Sequence, residues 1–166
     1  MEFVDKLIKH PIFTRNLKEI ELEELDRAFC CHGMTHLMDV ARIAYIYSLE
    51  HNLKLEKEII YLTALLHDIG RAEEYRTGAP HEQAGMELAE LILSELEYPE
   101  EKQKLILKAI ENHRSKETTE RYIEDNAEQL KFIINMADKQ SRNCFYCDAY
   151  KQCNWSEGKK NKTITQ

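Results

Sequence analysis

The sequence predicts an all-α fold built as a single domain of about six or seven helices. Three observations carry that expectation. Leu, Ile, Ala, Glu and Lys dominate the 166 residues, and these are good helix formers. Only 5 Gly and 3 Pro are present, too few for a turn-rich all-β fold. Apolar residues make up 43 %, enough for one sizeable core, and they recur at helical spacing along most of the chain.

The elements follow in order. Leu7 and Ile8 end a short first helix, and Pro11 stops it. Thr14 to Asp26 reads as a second helix, with Leu17, Ile20, Leu22 and Leu25 among many charges. Phe29-Cys30-Cys31-His32-Gly33 breaks the pattern. The next helix runs from about Met34 to Glu50, with Leu37, Val40, Ile43, Ala44 and Tyr47 on one face. Glu56 to His67 is apolar most of the way round, so it should be the central, buried helix. Gly70 stops it, and Arg71 to Pro80 reads as a charged loop. A helix from His81 to about Leu96 carries Ala84, Leu88, Ala89, Leu91 and Ile92. Pro99 suits the first turn of the next, whose apolar face leads through Leu105, Ile106, Ala109 and Ile110 to His113. Asn126 to Arg142 is the last strong helix. Residues 1–143 form the domain. Residues 144–166 form a cysteine-containing tail, expected to be disordered beyond about Trp155.

Charge and apolar run length exclude several classes. The net charge of -7 argues against binding duplex nucleic acid, which calls for a basic face. No apolar stretch approaches the roughly 20 residues needed to cross a bilayer. Met1-Glu2-Phe3-Val4-Asp5 lacks the order of a signal peptide. A cytoplasmic protein is expected, with its five cysteines as reduced thiols or metal ligands.

The chemistry lies in titratable groups on apolar helix faces. His36 shares the face of Val40 and Ile43. His67 and Asp68 end the most apolar helix. His113 continues the face of Ile106, Ala109 and Ile110, and Asp138 that of Leu130 and Ile134. A buried carboxylate without a partner costs several kcal/mol. Two carboxylates and several imidazoles aimed inward need a common neutraliser, and a metal ion is the simplest. No Lys or Arg is expected at the matching inward positions. Singly, each residue has a plainer reading: Asp138 could pair with Arg142, and a helix-end His is often a cap. His32 reads as a cap, a surface group or a support behind His36; His10 and His51 read as surface groups.

His36, then Leu65-Leu66-His67-Asp68-Ile69-Gly70-Arg71, then Met136-Ala137-Asp138-Lys139 resembles the H…HD…D signature of the HD superfamily. The resemblance spans most of the chain. It implies an HD-domain helical bundle and a metal-dependent phosphohydrolase. With His81 and His113 the order becomes H…HD…H…H…D, similar to the two-metal branches. The layout is closest to the symmetrical dinucleoside-tetraphosphatases. The Gly-Tyr-Pro continuation of the cyclic-dinucleotide phosphodiesterases is absent, since Arg71-Ala72-Glu73 follows Gly70.

The resemblance implies that His36, His67, Asp68 and Asp138 hold one ion, with Asp68 bridging to a second held by His81 and His113. Fe, Mn, Zn, Co or Ni suits such a donor set better than Mg. It also implies hydrolysis of a nucleotide-type ester or anhydride by metal-activated water, with His67 and Asp68 at the reacting centre. Arg71, Lys139, Arg142 and Arg114 are candidate binders of the phosphorylated substrate, Arg71 and Lys139 being nearest the chemistry; Arg27 and Arg76 are weaker candidates. A mononuclear 5'-nucleotidase and a non-catalytic nucleotide or metal sensor are the alternatives.

Cys144, Cys147 and Cys153 form C-x2-C-x5-C, which can clasp structural zinc or an iron–sulfur cluster. Cys30 or Cys31 could supply a fourth thiolate if the tail folds back. Reduced thiols packed with Phe145, Tyr146 and Trp155 are the plainer reading, and contact in a homodimer is a further role open to this tail.

Overall fold

A computed structural model describes residues 1–111 and 125–164. Eight α-helices lie among these residues: α1 (Glu2–Leu7), α2 (Pro11–Glu23), α3 (Met34–Glu50), α4 (Lys57–Leu66), α5 (Arg71–Thr77), α6 (His81–Glu95), α7 (Glu100–Glu111) and α8 (Asn126–Gln140). A single 3-10 turn, Cys144–Tyr146, follows. No strand occurs among the described residues, and no helix among them is long and apolar enough to cross a membrane.

Helix α4 is the axis of the fold, as its all-round apolar sequence predicts. Every residue from Ile59 to Leu66 is buried. Around it pack α1, α3, α7 and α8; α3 and α7 also flank α8. α6 leans on α7, and α5 joins α6 to α2. The faces of α3, α7 and α8 that meet α4 carry Leu37, Val40, Ala41, Ile106, Ile110, Leu130, Ile133 and Ile134, all buried.

Local chemistry sets the boundaries. Pro11 does not merely stop α1; it opens α2 at the first helical position, where a missing N–H costs nothing. Asp125 caps α8 by accepting from the N–H groups of Ala127 and Glu128 at 2.7 and 3.3 Å. The stretch expected as a charged loop after Gly70 is helix α5. It is ended by Gly78, whose φ of +77° closes the last turn in the left-handed region. The helix read from Thr14 to Asp26 runs Pro11–Glu23, so Leu25 lies beyond its end; Leu22 and Leu25 are exposed, while Leu17 and Ile20 are buried.

Gly70 has an ordinary φ of -72°, so its role is close approach. A Cβ there would sit 2.1 Å from the carbonyl oxygen of His81 and 2.4 Å from the nitrogen of Gly85. The absent side chain lets the first turns of α6 lie directly on the His67–Gly70 turn.

The tail lies against the end of α8. Asn161 donates from Nδ2 to the carbonyls of Lys139 and Arg142, each at 2.8 Å, and to that of Gln140 at 3.3 Å. Those to Lys139 and Gln140 reach carbonyls in the last turn of α8, which have no partner within the helix. Lys160 reaches the carbonyl of Tyr150 at 2.9 Å. Asn161 thereby brings the segment beyond Trp155 back to the end of α8.

Candidate metal centre

Four side chains meet where α3 begins and α4 and α8 end. His36 lies in the first turn of α3, His67 and Asp68 directly follow α4, and Asp138 lies in the last turn of α8. One donor atom from each falls within 4.8 Å of all the others. Nε2 of His67 stands 3.3 Å from Asp68 Oδ2; Nε2 of His36 stands 3.5 Å from the same oxygen and 3.6 Å from Asp138 Oδ1.

These separations are long for hydrogen bonds and fit a shared ion. Ligand atoms about 2.1 Å from a metal, at a tetrahedral angle, lie roughly 3.4 Å apart. The far side of each imidazole is anchored in the manner metal-binding histidines need. Nδ1 of His67 faces the Ala64 carbonyl at 2.6 Å. Nδ1 of His36 faces Ser141 Oγ at 3.2 Å, and that hydroxyl donates to the Asp138 carbonyl at 2.8 Å. Ser141 therefore accepts from His36 Nδ1–H, which leaves the lone pair on Nε2 pointing at the carboxylates.

The environment divides the four. His67 and Asp68 are fully enclosed, His36 is nearly so, and the side chain of Asp138 is 34 % exposed, so the centre opens to solvent on the α8 side. Burial pushes the Asp68 carboxyl up, but His67, His36 and Arg71 together hold it well below the usual carboxylate range. Burial pushes His67 down, and the two carboxylates more than reverse this, leaving it raised.

Arg71 overturns one expectation: a cation does sit at an inward position. Its Nε lies 2.9 Å from Asp68 Oδ1, Nη1 lies 3.6 Å from Glu74, and the side chain is buried. His81 approaches the same oxygen, its Nε2 at 3.7 Å, while its Nδ1 lies 3.1 Å from Glu74 Oε2. The two oxygens of Asp68 thus face different company: Oδ2 the other ligand histidines, Oδ1 Arg71 and His81. His113 and Arg114 lie outside the described residues.

The other basic candidates are engaged elsewhere. Lys139 bonds Asn135 one turn back along α8. Arg142 lies over the Trp155 ring at 4.7 Å and donates from Nε to the Lys139 carbonyl. Arg27 meets Tyr75 and Glu24, and Arg76 meets Glu73 and Glu19. His51 is exposed and stacks on Tyr47, as expected of a surface group. His10 is instead buried, with Nε2 3.1 Å from Glu95.

His32 is buried too, edge-on to the His36 ring at 5.3 Å. Glu24 holds it twice, through the backbone N–H and through Nδ1, both at 2.5 Å. Glu24 also accepts from the Tyr75 hydroxyl at 2.5 Å. Burial alone would raise the Glu24 carboxyl, but these donors lower it to about 2. Burial pushes the His32 ring down against the pull of Glu24.

Sequence reading misses Ser141, Glu74 and Glu24. Ser141 lies three residues past Asp138 and so shares its face, a usable signal. Glu74 is hidden because its helix reads as a loop. Glu24 reaches His32 only through tertiary folding.

Comparison with known proteins agrees with the geometry. The family model for the HD domain matches residues 33–143. The chain belongs to the HD domain family. A relative of this HD protein, an uncharacterized protein of Clostridium beijerinckii (strain ATCC 51743 / NCIMB 8052), is 43 % identical over 148 residues, spanning 89 % of this chain and 88 % of its own. The crystal structure of a predicted HD superfamily hydrolase from an uncultured Thermotogales bacterium superposes with a TM-score of 0.63 at 20 % identity. That alignment covers 90 % of this chain and 79 % of the other, a likeness of fold. HD domains typically bind divalent metals, and among the described residues the His36–His67–Asp68–Asp138 cluster is the group that could hold one.

Proposed function

We propose that this HD protein is a metal-dependent phosphohydrolase acting on a nucleotide-type phosphate ester or anhydride. The observation that carries the reading is the meeting of two imidazoles and two carboxylates, with donor atoms at coordination spacing, in a largely buried site of an HD domain. The solved HD structure of the same fold, named a predicted hydrolase, supports the reaction class.

His36, His67, Asp68 and Asp138 would hold the ion; Fe, Mn, Zn, Co or Ni suits their donor atoms. A divalent ion there supplies the Lewis acidity that makes water nucleophilic near neutral pH and offsets charge on a phosphoryl group. The rest falls to the protein. Ala64 and Ser141 fix which nitrogen of His67 and His36 faces inward. Arg71 and His81 hold one oxygen of Asp68 and so aim the other. Asp138, on the open side, marks where substrate enters. Lys139 is exposed and follows Asp138 in α8, and its tether to Asn135 is one a phosphate oxygen could replace.

Arg71 favours a mononuclear centre over a binuclear one. Its guanidinium occupies the face of Asp68 that a bridging carboxylate would offer to a second ion. In a Cys144→Ser chain, about one metal atom is expected after reconstitution, unchanged by His81→Ala; a content near two in that chain would restore the binuclear form.

The reaction is tested by a panel of nucleotides, dinucleoside polyphosphates and cyclic dinucleotides with Mn, Fe, Co, Ni, Zn and Mg. His67→Ala serves as the blank. Turnover that disappears in the blank is the expected result. No turnover with any metal, while the same compounds raise the melting temperature, would replace the hydrolase with a binding protein.

A further inference from the structure

A group of cysteines lies beside the four-ligand cluster, and His36 of that cluster and its partner Ser141 line the same cleft. A cleft of about 380 Å³ opens between the segment before α3 and the folded-back tail, and Cys30, Cys144, Cys147 and Cys153 all line it. Short-range turns build it. The 3-10 turn Cys144–Tyr146 is closed by the Cys147 N–H on the Cys144 carbonyl at 3.3 Å, which puts the C-x2-C pair on one side of the bend. Two further turns, Tyr150 N–H to Cys147 and Gln152 N–H to Ala149, each at 3.0 Å, bring Cys153 round to the same opening.

Cys31 also lines the cleft, but its neighbour Cys30 is the better fourth thiol. Cys30 lies within electrostatic reach of Cys144, Cys153 and Cys147, and its thiol is raised first by burial and then by these three. Cys31 turns toward the backbone of Glu24 and Phe29, its sulfur 3.9 and 3.4 Å from their carbonyl oxygens. Arg142 and Lys160 line the cleft as well and would offset the charge of four thiolates.

We infer that Cys30, Cys144, Cys147 and Cys153 bind an iron–sulfur cluster that pins the tail to the start of α3. The size of the opening selects the occupant. Four thiolates about 2.3 Å from one zinc ion stand roughly 3.8 Å apart. No three cysteine sulfurs come within 4.8 Å of one another among the described residues. Thiols set around an open cleft and not gathered about a single point suit a four-iron, four-sulfide cluster held by four thiolates better than one ion. The ligand spacing C-x2-C with two more distant cysteines is compatible with it.

The test uses the full chain, purified without oxygen and reconstituted with ferrous iron and sulfide under reducing conditions. Brown protein is expected, with visible charge-transfer absorption and about four iron and four acid-labile sulfide per chain. Cys30→Ser and Cys144→Ser should each lose colour and labile sulfide; Cys31→Ser should keep both. Iron held by the His/Asp centre brings no labile sulfide and leaves with His67→Ala, so the two sites are told apart whether or not the hydrolase reading survives. Colourless wild type after reconstitution, one zinc per chain bound by these thiols in place of iron, a disulfide among the four cysteines, or a Cys31→Ser protein that loses the colour would each overturn the assignment. Should Cys30→Ser fail to fold, the sulfide count of wild type and the Cys31→Ser spectrum still decide it.

Discussion

Each ligand imidazole is aimed by what its other nitrogen touches. Ser141 has that task for His36, because its hydroxyl proton is committed to the Asp138 carbonyl and its oxygen is left to accept. Removing such a support typically lowers metal affinity about tenfold to a hundredfold. Ser141→Ala should therefore bind Mn or Zn more weakly by that margin, in competition against a chromophoric chelator, with its melting temperature in the metal-free state little changed. An affinity equal to wild type would mean that His36 needs no orienting partner. Glu74→Gln should act at one remove, through His81 and Arg71, with a smaller loss by the same measurement. At this scale His36, His67, Asp68 and Asp138 are legible because each continues or ends an apolar stripe, where a charged or polar group is anomalous. The burial of Arg71 and Glu74's part in the site are not. A basic and an acidic residue just past a glycine look like surface charge, and only the return of α6 over the turn buries Arg71 and brings His81 to Glu74.

The helices differ in how openly the sequence declares them. α4 is plain, since an apolar surface on all sides has no stable place except the interior. Leu65 is fully buried there, and Leu65→Ala should cost about 2–5 kcal/mol. Urea denaturation with an unchanged slope is the check; a loss under about 1 kcal/mol would show that the neighbours collapse into the gap. α5 is hidden. Its seven residues are mostly polar and present no apolar stripe, so propensity alone cannot distinguish them from a loop. It is held by what surrounds it: the Arg71–Asp68 pair at its start, Gly78 at its end, and Tyr75 reaching Glu24 in its middle. The contact of the tail with α8 is concealed for a related reason, since polar composition gives no sign of the capping of α8 by Asn161.

Across the molecule, Glu24 joins three distant pieces: the end of α2, the segment leading into α3 and helix α5. Its carboxyl is held at about 2 against an ordinary 4.5. A lowered folded value adds stability above the unfolded pKa, and that stability fades as pH falls from about 4.5 toward 2. Glu24→Gln should lower the melting temperature at about pH 7, with the gap from wild type narrowing steadily below about pH 4.5. A gap that stays constant across that window would mean the ionised form is not what binds the three pieces.

The backbone contact at Gly70 has a bearing on what this centre can accept. The turn carrying His67 and Asp68 meets α6 with no side chain between them, so the height of His81 above Asp68 is set by main chain against main chain. Ordinary substitutions on that wall cannot enlarge the chamber gradually; adding even a methyl group forces the two segments apart at once. Asp138, whose side chain is 34 % exposed, leaves the centre less tightly enclosed than that backbone contact does.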